Sequence, residues 1–160
     1  MNIGELLVNV ITVLLFYFFI SRTFILRRLH WICRGIGLML LFVLITLLNL
    51  MNIAPTITCV SGLICQILYT MVFAEGSRGA RLLIGGIPAL LAVVSDSVTF
   101  SVLGILFQDT SEALTVNSAI RSQALVIYIL TYCLLIWAVI QFFPQDLKFP
   151  GYFEGVIFLT

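Results

Sequence analysis

Charge is the first thing this chain lacks. Eight basic and seven acidic residues make up 9% of its 160 positions, against about 25% in an ordinary soluble domain. So few ionisable groups do not cover the surface of a water-soluble globule, and they are bunched between long apolar runs instead of being scattered through them. A strongly basic face is also missing. The net charge is +1, and neutralising several phosphates takes more clustered lysine and arginine than this, so a nucleic-acid partner is excluded. Metal and disulfide signatures are missing too. Cys33, Cys59, Cys65 and Cys133 lie in or beside apolar runs with no C-x-x-C spacing, and they read as small apolar side chains. Gly35-Ile36-Gly37-Leu38 opens an apolar run and lacks the strand-to-helix setting that a phosphate cradle needs. No nucleotide or other cofactor is expected.

What is present is apolar surface, 62% of the chain against roughly 45–50% in soluble domains. A transmembrane helix takes about 20 residues, and five such runs leave only short connections, with no room for a soluble catalytic domain. The expected fold is an all-α, polytopic integral membrane bundle forming one domain over residues 1–160. Its spans are expected at about 3–20, 35–53, 57–74, 82–107 and 122–143, and an apolar segment at 151–160 begins a sixth without completing it. The first run lacks the basic start and small-residue cleavage pattern of a secretory signal, so it is expected to stay as an anchor.

Counting lysine and arginine in the connections fixes an expected orientation. Arg22, Arg27, Arg28, Arg34, Arg78, Arg81 and Lys148 fall on one side, and Arg121 alone falls on the other. The positive-inside rule then places the N-terminus outside the cell.

Asp96 stands near the middle of the fourth span, where an acid costs about 2.5–3.5 kcal/mol on insertion scales. Helical spacing through Gly85, Ala89, Ala92, Asp96 and Thr99 gives one narrow face of small or polar residues, the kind that packs against other helices. Two readings stay open. Asp96, with Ser95, Thr99 and Gln66, lines an internal polar pocket or switch, or it is an acid hydrogen-bonded as interhelical glue. Glu5 and Asn9 invite a similar pair of readings. They join a polar cavity with Asn49 and Asn52, or they are interfacial residues whose depth costs little, which is the favoured reading for Glu5 more than for Asn9. His30 and Cys33, three apart, offer a weak peptidase pattern.

The order of features continues with Phe73-Ala74-Glu75-Gly76-Ser77-Arg78-Gly79-Ala80-Arg81-Leu82-Leu83, which leads into the span holding Ser95-Asp96. In this order the chain resembles the N-terminal membrane sensor of GHKL-type, AgrC-like sensor histidine kinases, over nearly its whole length. The resemblance implies a sensor that detects an extracellular signal, often a peptide, and relays it to a cytoplasmic kinase. The expected partners are the lipid bilayer, an extracellular peptide or small ligand, and a second copy of the chain in a homodimer. The chain departs from that family in having no phosphoacceptor histidine motif and no ATP-binding boxes, so as given it is not expected to be an enzyme. A truncated parent and a naturally short relative both remain open.

The expected ligand face is Asn49, Asn52, Asp109, Glu112 and Arg121, with Asp96, Thr99 and Gln66 as the internal coupling element. A small membrane transporter or transporter subunit, with the polar fourth span lining the substrate path, is the alternative.

Overall fold

Backbone groups in lipid have to be paired within their own segment, and the apolar runs are helical accordingly. The computed structural model describes residues 3–27, 31–50, 55–107 and 118–142. Five helices follow one another: α1 (Ile3–Thr23), α2 (Trp31–Leu50), α3 (Pro55–Phe73), α4 (Arg78–Phe107) and α5 (Ser118–Phe142). Four segments, Ile3–Thr23, Trp31–Leu50, Arg78–Leu106 and Ile120–Phe142, are long and apolar enough to cross a membrane. The third expected span is a shorter apolar helix, Ile57–Phe73. At about 1.5 Å per residue, the 19 residues of α3 rise about 28 Å, just under a hydrocarbon core of about 30 Å. The fold is all-helical among the described residues, and its apolar helices mark a membrane protein.

Most helices begin or end a few residues away from the expected spans, because the helical hydrogen-bond ladder does not stop where hydrophobicity does. α1 runs on through Ser21-Arg22-Thr23, and Arg22 sits in its last turn, where a cation meets the negative end of the helix dipole. α2 starts four residues early, at Trp31, and α4 starts at Arg78. There Ser77 is the cap. Its Oγ accepts from Ala80 N at 3.2 Å, which satisfies one of the free N–H groups of the first turn. The expected sixth segment at 151–160 lies outside the described residues, as do His30, Asn52, Asp109 and Glu112.

The helices pack as a closed ring, each touching the next in chain order and α5 returning to α1, while α1 also reaches α4 across the middle. Consecutive helices therefore run in opposite directions. The connections α1–α2 and α3–α4 share one end, which also carries Arg22, Arg27, Arg34, Arg78 and Arg81 and is called the basic end below. At that end Arg27 N donates to Phe73 O at 2.9 Å and Glu75 N to Ile25 O at 2.8 Å, in an antiparallel bridge between Leu26 and Ala74. Gly76 closes the turn at φ +140°, a conformation open to glycine and strained for other residues.

The packed core fills the half of the ring nearest the basic end. Phe16, Phe19, Ile20, Tyr132 and Ile136 are buried there with Tyr69 and Ile84. Lipid offers no hydrophobic drive between helices, so shape has to hold them. Phe16 meets Tyr69 edge-on at 5.4 Å between ring centroids, and Tyr69 leans on Phe73 at 4.6 Å. On the other side of the ring, Gly85 lets α4 come so close to α3 that a Cβ there would sit 2.8 Å from Thr70. The outer surface is a coat of exposed Leu, Ile, Val and Phe, which in water would be an aggregation hazard and in lipid is the matching solvent.

Candidate functional site

Above the core, in the half of the ring away from the basic end, the helices enclose a cavity of about 710 Å³. All five contribute to its wall: Val8, Asn9 and Thr12 from α1, Ile45 and Asn49 from α2, Thr58, Cys59, Gly62 and Gln66 from α3, and Arg121, Ala124, Leu125 and Tyr128 from α5. The largest share comes from α4, through Ala89, Ala92, Val93, Asp96, Thr99, Phe100 and Leu103. Those α4 positions recur at steps of three and four, so a single helical stripe lines the cavity from end to end. The small residues expected from sequence to share one face divide along it. Gly85 packs on Thr70, and one turn further on Ala89, Ala92, Asp96 and Thr99 open onto the cavity.

A second recess adjoins the cavity at its far end, lined by Glu5, Val8, Asn9, Asn49, Leu50, Arg121 and Leu125. Arg121 pairs with Glu5 through Nη2 and Oε1, which ties the start of α5 to the start of α1. Below that pair Asn9, 5% exposed, accepts from Asn49 Nδ2 at 3.0 Å and donates from its own Nδ2 to Thr46 Oγ1 at 3.4 Å. Such partners offset the cost of burying an amide in lipid.

Three hydroxyls at or next to the cavity are satisfied within their own helices. Thr99 Oγ1 donates to Ser95 O at 2.8 Å, Ser95 Oγ to Leu91 O at 2.8 Å and Thr70 Oγ1 to Gln66 O at 2.8 Å, the back-bonding typical of Ser and Thr inside helices. Two groups on the cavity wall differ. Gln66 is 3% exposed, and its Oε1 has no hydrogen-bond partner among the described residues. Asp96 has no hydrogen-bonding or ion-pairing partner among the described residues either, and it is exposed where it lines the cavity.

Of the residues singled out from sequence, the structure therefore brings Asp96, Thr99, Gln66, Asn49 and Arg121 to one cavity. Asn52, Asp109 and Glu112 lie outside the described residues. Ser95 is buried and does not line the cavity. Glu5, favoured as an interfacial residue, has a specific partner in Arg121, and Asn9 joins Asn49. Thr12, Thr58 and Tyr128 line the wall without having been singled out. Tyr128 falls four residues short of Tyr132, and the two rings stack at 5.9 Å. That four-residue tyrosine spacing was the available signal. Cys33 is exposed at the basic end, away from the cavity, while His30 lies outside the described residues. No group of three or more His, Cys, Asp or Glu placed to hold a metal occurs among the described residues.

Comparison with known protein families, with characterised proteins and with solved structures finds no match to this chain.

Proposed function

We propose that the chain is the membrane sensor region of a signalling protein, and that it takes a small ligand into the five-helix cavity and relays occupancy through repacking of the ring. One observation carries this reading. A cavity with polar groups from every helix lies in one half of the ring, over a tightly packed aromatic core in the other half. At about 710 Å³ it falls in the range of roughly 300–1,000 Å³ typical of small-molecule sites. A ligand held there touches all five helices at once and so has differential contacts with any two packings of them, which is the thermodynamic requirement for a signal.

In the proposed arrangement the ring crosses the membrane five times with its arginine-bearing end inside the cell, following the positive-inside rule. The cavity then faces outward, and the bridge between Leu26 and Ala74 joins two connections on the cytoplasmic side. The resemblance to GHKL-type sensor kinases supplies the output, a histidine kinase with a short peptide or small molecule as its extracellular signal, acting as a homodimer.

The test is a chimera in which the chain precedes an intact cytoplasmic kinase. Asp96→Asn and Ala92→Phe, which place a neutral side chain and a bulky one in the cavity, should each shift kinase output at unchanged protein level. Unchanged output in both removes the sensor role. Orientation is tested separately, in a background with the four cysteines replaced. An impermeant maleimide should label Asn49→Cys in whole cells and leave Arg27→Cys unlabelled, and the reverse pattern overturns the arrangement. The transporter reading draws on the same polar stripe of α4. Uptake of a solute into vesicles that contain only this chain would favour it.

A further inference from the structure

The cavity wall carries an acid and a buried acceptor that no group among the described residues meets. Several of its donors are engaged: Asn9 Nδ2 donates to Thr46 Oγ1 and Asn49 Nδ2 to Asn9 Oδ1, Thr99 gives its proton to Ser95 O, and Arg121, the one cation on the wall among the described residues, is paired with Glu5. Two groups that accept or carry negative charge stand without a partner there. Gln66 Oε1 is buried on the wall without a partner, and the Asp96 carboxyl has none among the described residues. The rest of the lining is mainly aliphatic and aromatic, including Phe100 and Tyr128. A lone acid inside a membrane bundle ordinarily pairs with a counter-charge, and an unmet acceptor costs free energy that a donor would recover.

We propose that the cavity binds a small organic cation, a single positively charged head on an apolar body, with Asp96 as its counter-charge. The proposal rests on the sensor reading of the same cavity and names its ligand class. The head sits beside Asp96, within reach of aromatic faces that attract cations, and the apolar body fills the aliphatic wall. An anion of the same size meets a carboxyl group and an unpaired carbonyl oxygen and is rejected.

The probes are tetraphenylphosphonium and tetraphenylborate, ions of matched shape and opposite charge, measured by equilibrium dialysis against the whole chain in a neutral maltoside detergent. Saturable binding of one phosphonium per chain is expected, at least tenfold tighter than borate. It should weaken at least tenfold in Asp96→Asn, recover in part in Asp96→Glu, and stay unchanged in Glu75→Gln, an acid at the basic end. Helicity and elution volume serve as the folding check on each variant. No phosphonium binding, equal affinity for the two ions, or full affinity in a folded Asp96→Asn overturns the proposal. Borate binding tighter than phosphonium binding, and abolished by Ala92→Phe, overturns the cation assignment and leaves the ligand cavity standing. Binding of neither ion that responds to Ala92→Phe overturns the cavity reading as well.

Discussion

Asn49 donates from Nδ2 to Asn9 Oδ1 at 3.0 Å across forty positions of sequence, and this bond stitches α1 to α2 at the level of the cavity. α2 buries only Leu41 fully, so packing alone holds it weakly and the amide pair matters more than one such pair would in a dense core. Hydrogen bonds between membrane helices average about 0.6 kcal/mol in double-mutant cycles, with a maximum of about 1.7. Asn9→Ala removes both an acceptor and a donor and is expected to destabilise the folded chain by about 1–2 kcal/mol. Asn49→Ala is expected to cost less. A double-mutant cycle read by unfolding in mixed micelles should return a coupling of about 0.6 kcal/mol or more, and additive effects would show that the bond carries nothing.

How much of this was legible in the sequence depends on range. The α4 stripe from Ala89 to Thr99 is visible because helical spacing is local, and Ala89, Ala92, Asp96 and Thr99 on it are small or polar. Asn9 and Asn49 are visible as polar residues in apolar runs, though not as a bonded pair. The partnership of Glu5 with Arg121 spans 116 positions, and nothing local to either residue announces it. Tyr128 sits between Ile127 and Ile129 and looks like any aromatic in a greasy helix. The backbone bridge of Leu26 with Ala74 is invisible for a different reason, since it depends on where two connections meet and on no side chain. Helix ends were missed by a few residues because Arg22, Trp31 and Arg78 extend helices past the point where hydrophobicity stops.

Gly85 gives the sharpest test of the α3–α4 contact. A methyl group there would lie 2.8 Å from both Cβ and Oγ1 of Thr70, and neither atom has a flexible stem with which to retreat. Gly85→Ala is expected to destabilise by about 1–3 kcal/mol, the range for overpacking. Gly35 has open space around a Cβ, so Gly35→Ala is expected to be neutral or to gain up to about 1 kcal/mol of helix propensity. Thermal unfolding of the two variants in the same detergent compares them directly, and equal midpoints would refute the close approach.

Arg81 is buried at the basic end, 8% exposed, and its Nη1 donates to Met71 O at 2.7 Å. Met71 lies in the last turn of α3, where carbonyls lack helical partners and the helix dipole is negative. Arg27 N serves Phe73 O in the same turn. Arg81→Ala leaves a buried carbonyl unmet and is expected to cost about 1.5–3 kcal/mol. Arg78→Ala, at an exposed neighbour, should stay within about 0.5 kcal/mol. Similar losses from both variants, measured by thermal unfolding, would mean that general charge near the lipid headgroups stabilises this end and the single bond does not.

The ion pair of Arg121 with Glu5 joins α5 to α1 beside the recess that adjoins the cavity, and the two side chains are 49% and 23% exposed. Exposed pairs are worth about 0–1 kcal/mol and weaken as salt rises. Its consequence is therefore expected to be larger for access than for stability. Glu5→Gln frees Arg121 and places an unpaired cation beside the cavity, so the unfolding midpoint should move little. Entry of a cationic probe should slow, while entry of an anionic one should not. The exchanged pair Glu5→Arg with Arg121→Glu restores neutrality at that recess and should restore the original entry rate. Stopped-flow association measured at low and high salt checks both points. The Glu5→Gln effect should shrink as salt screens the lone charge, and an effect independent of salt would mean that the pair acts by holding α1 against α5.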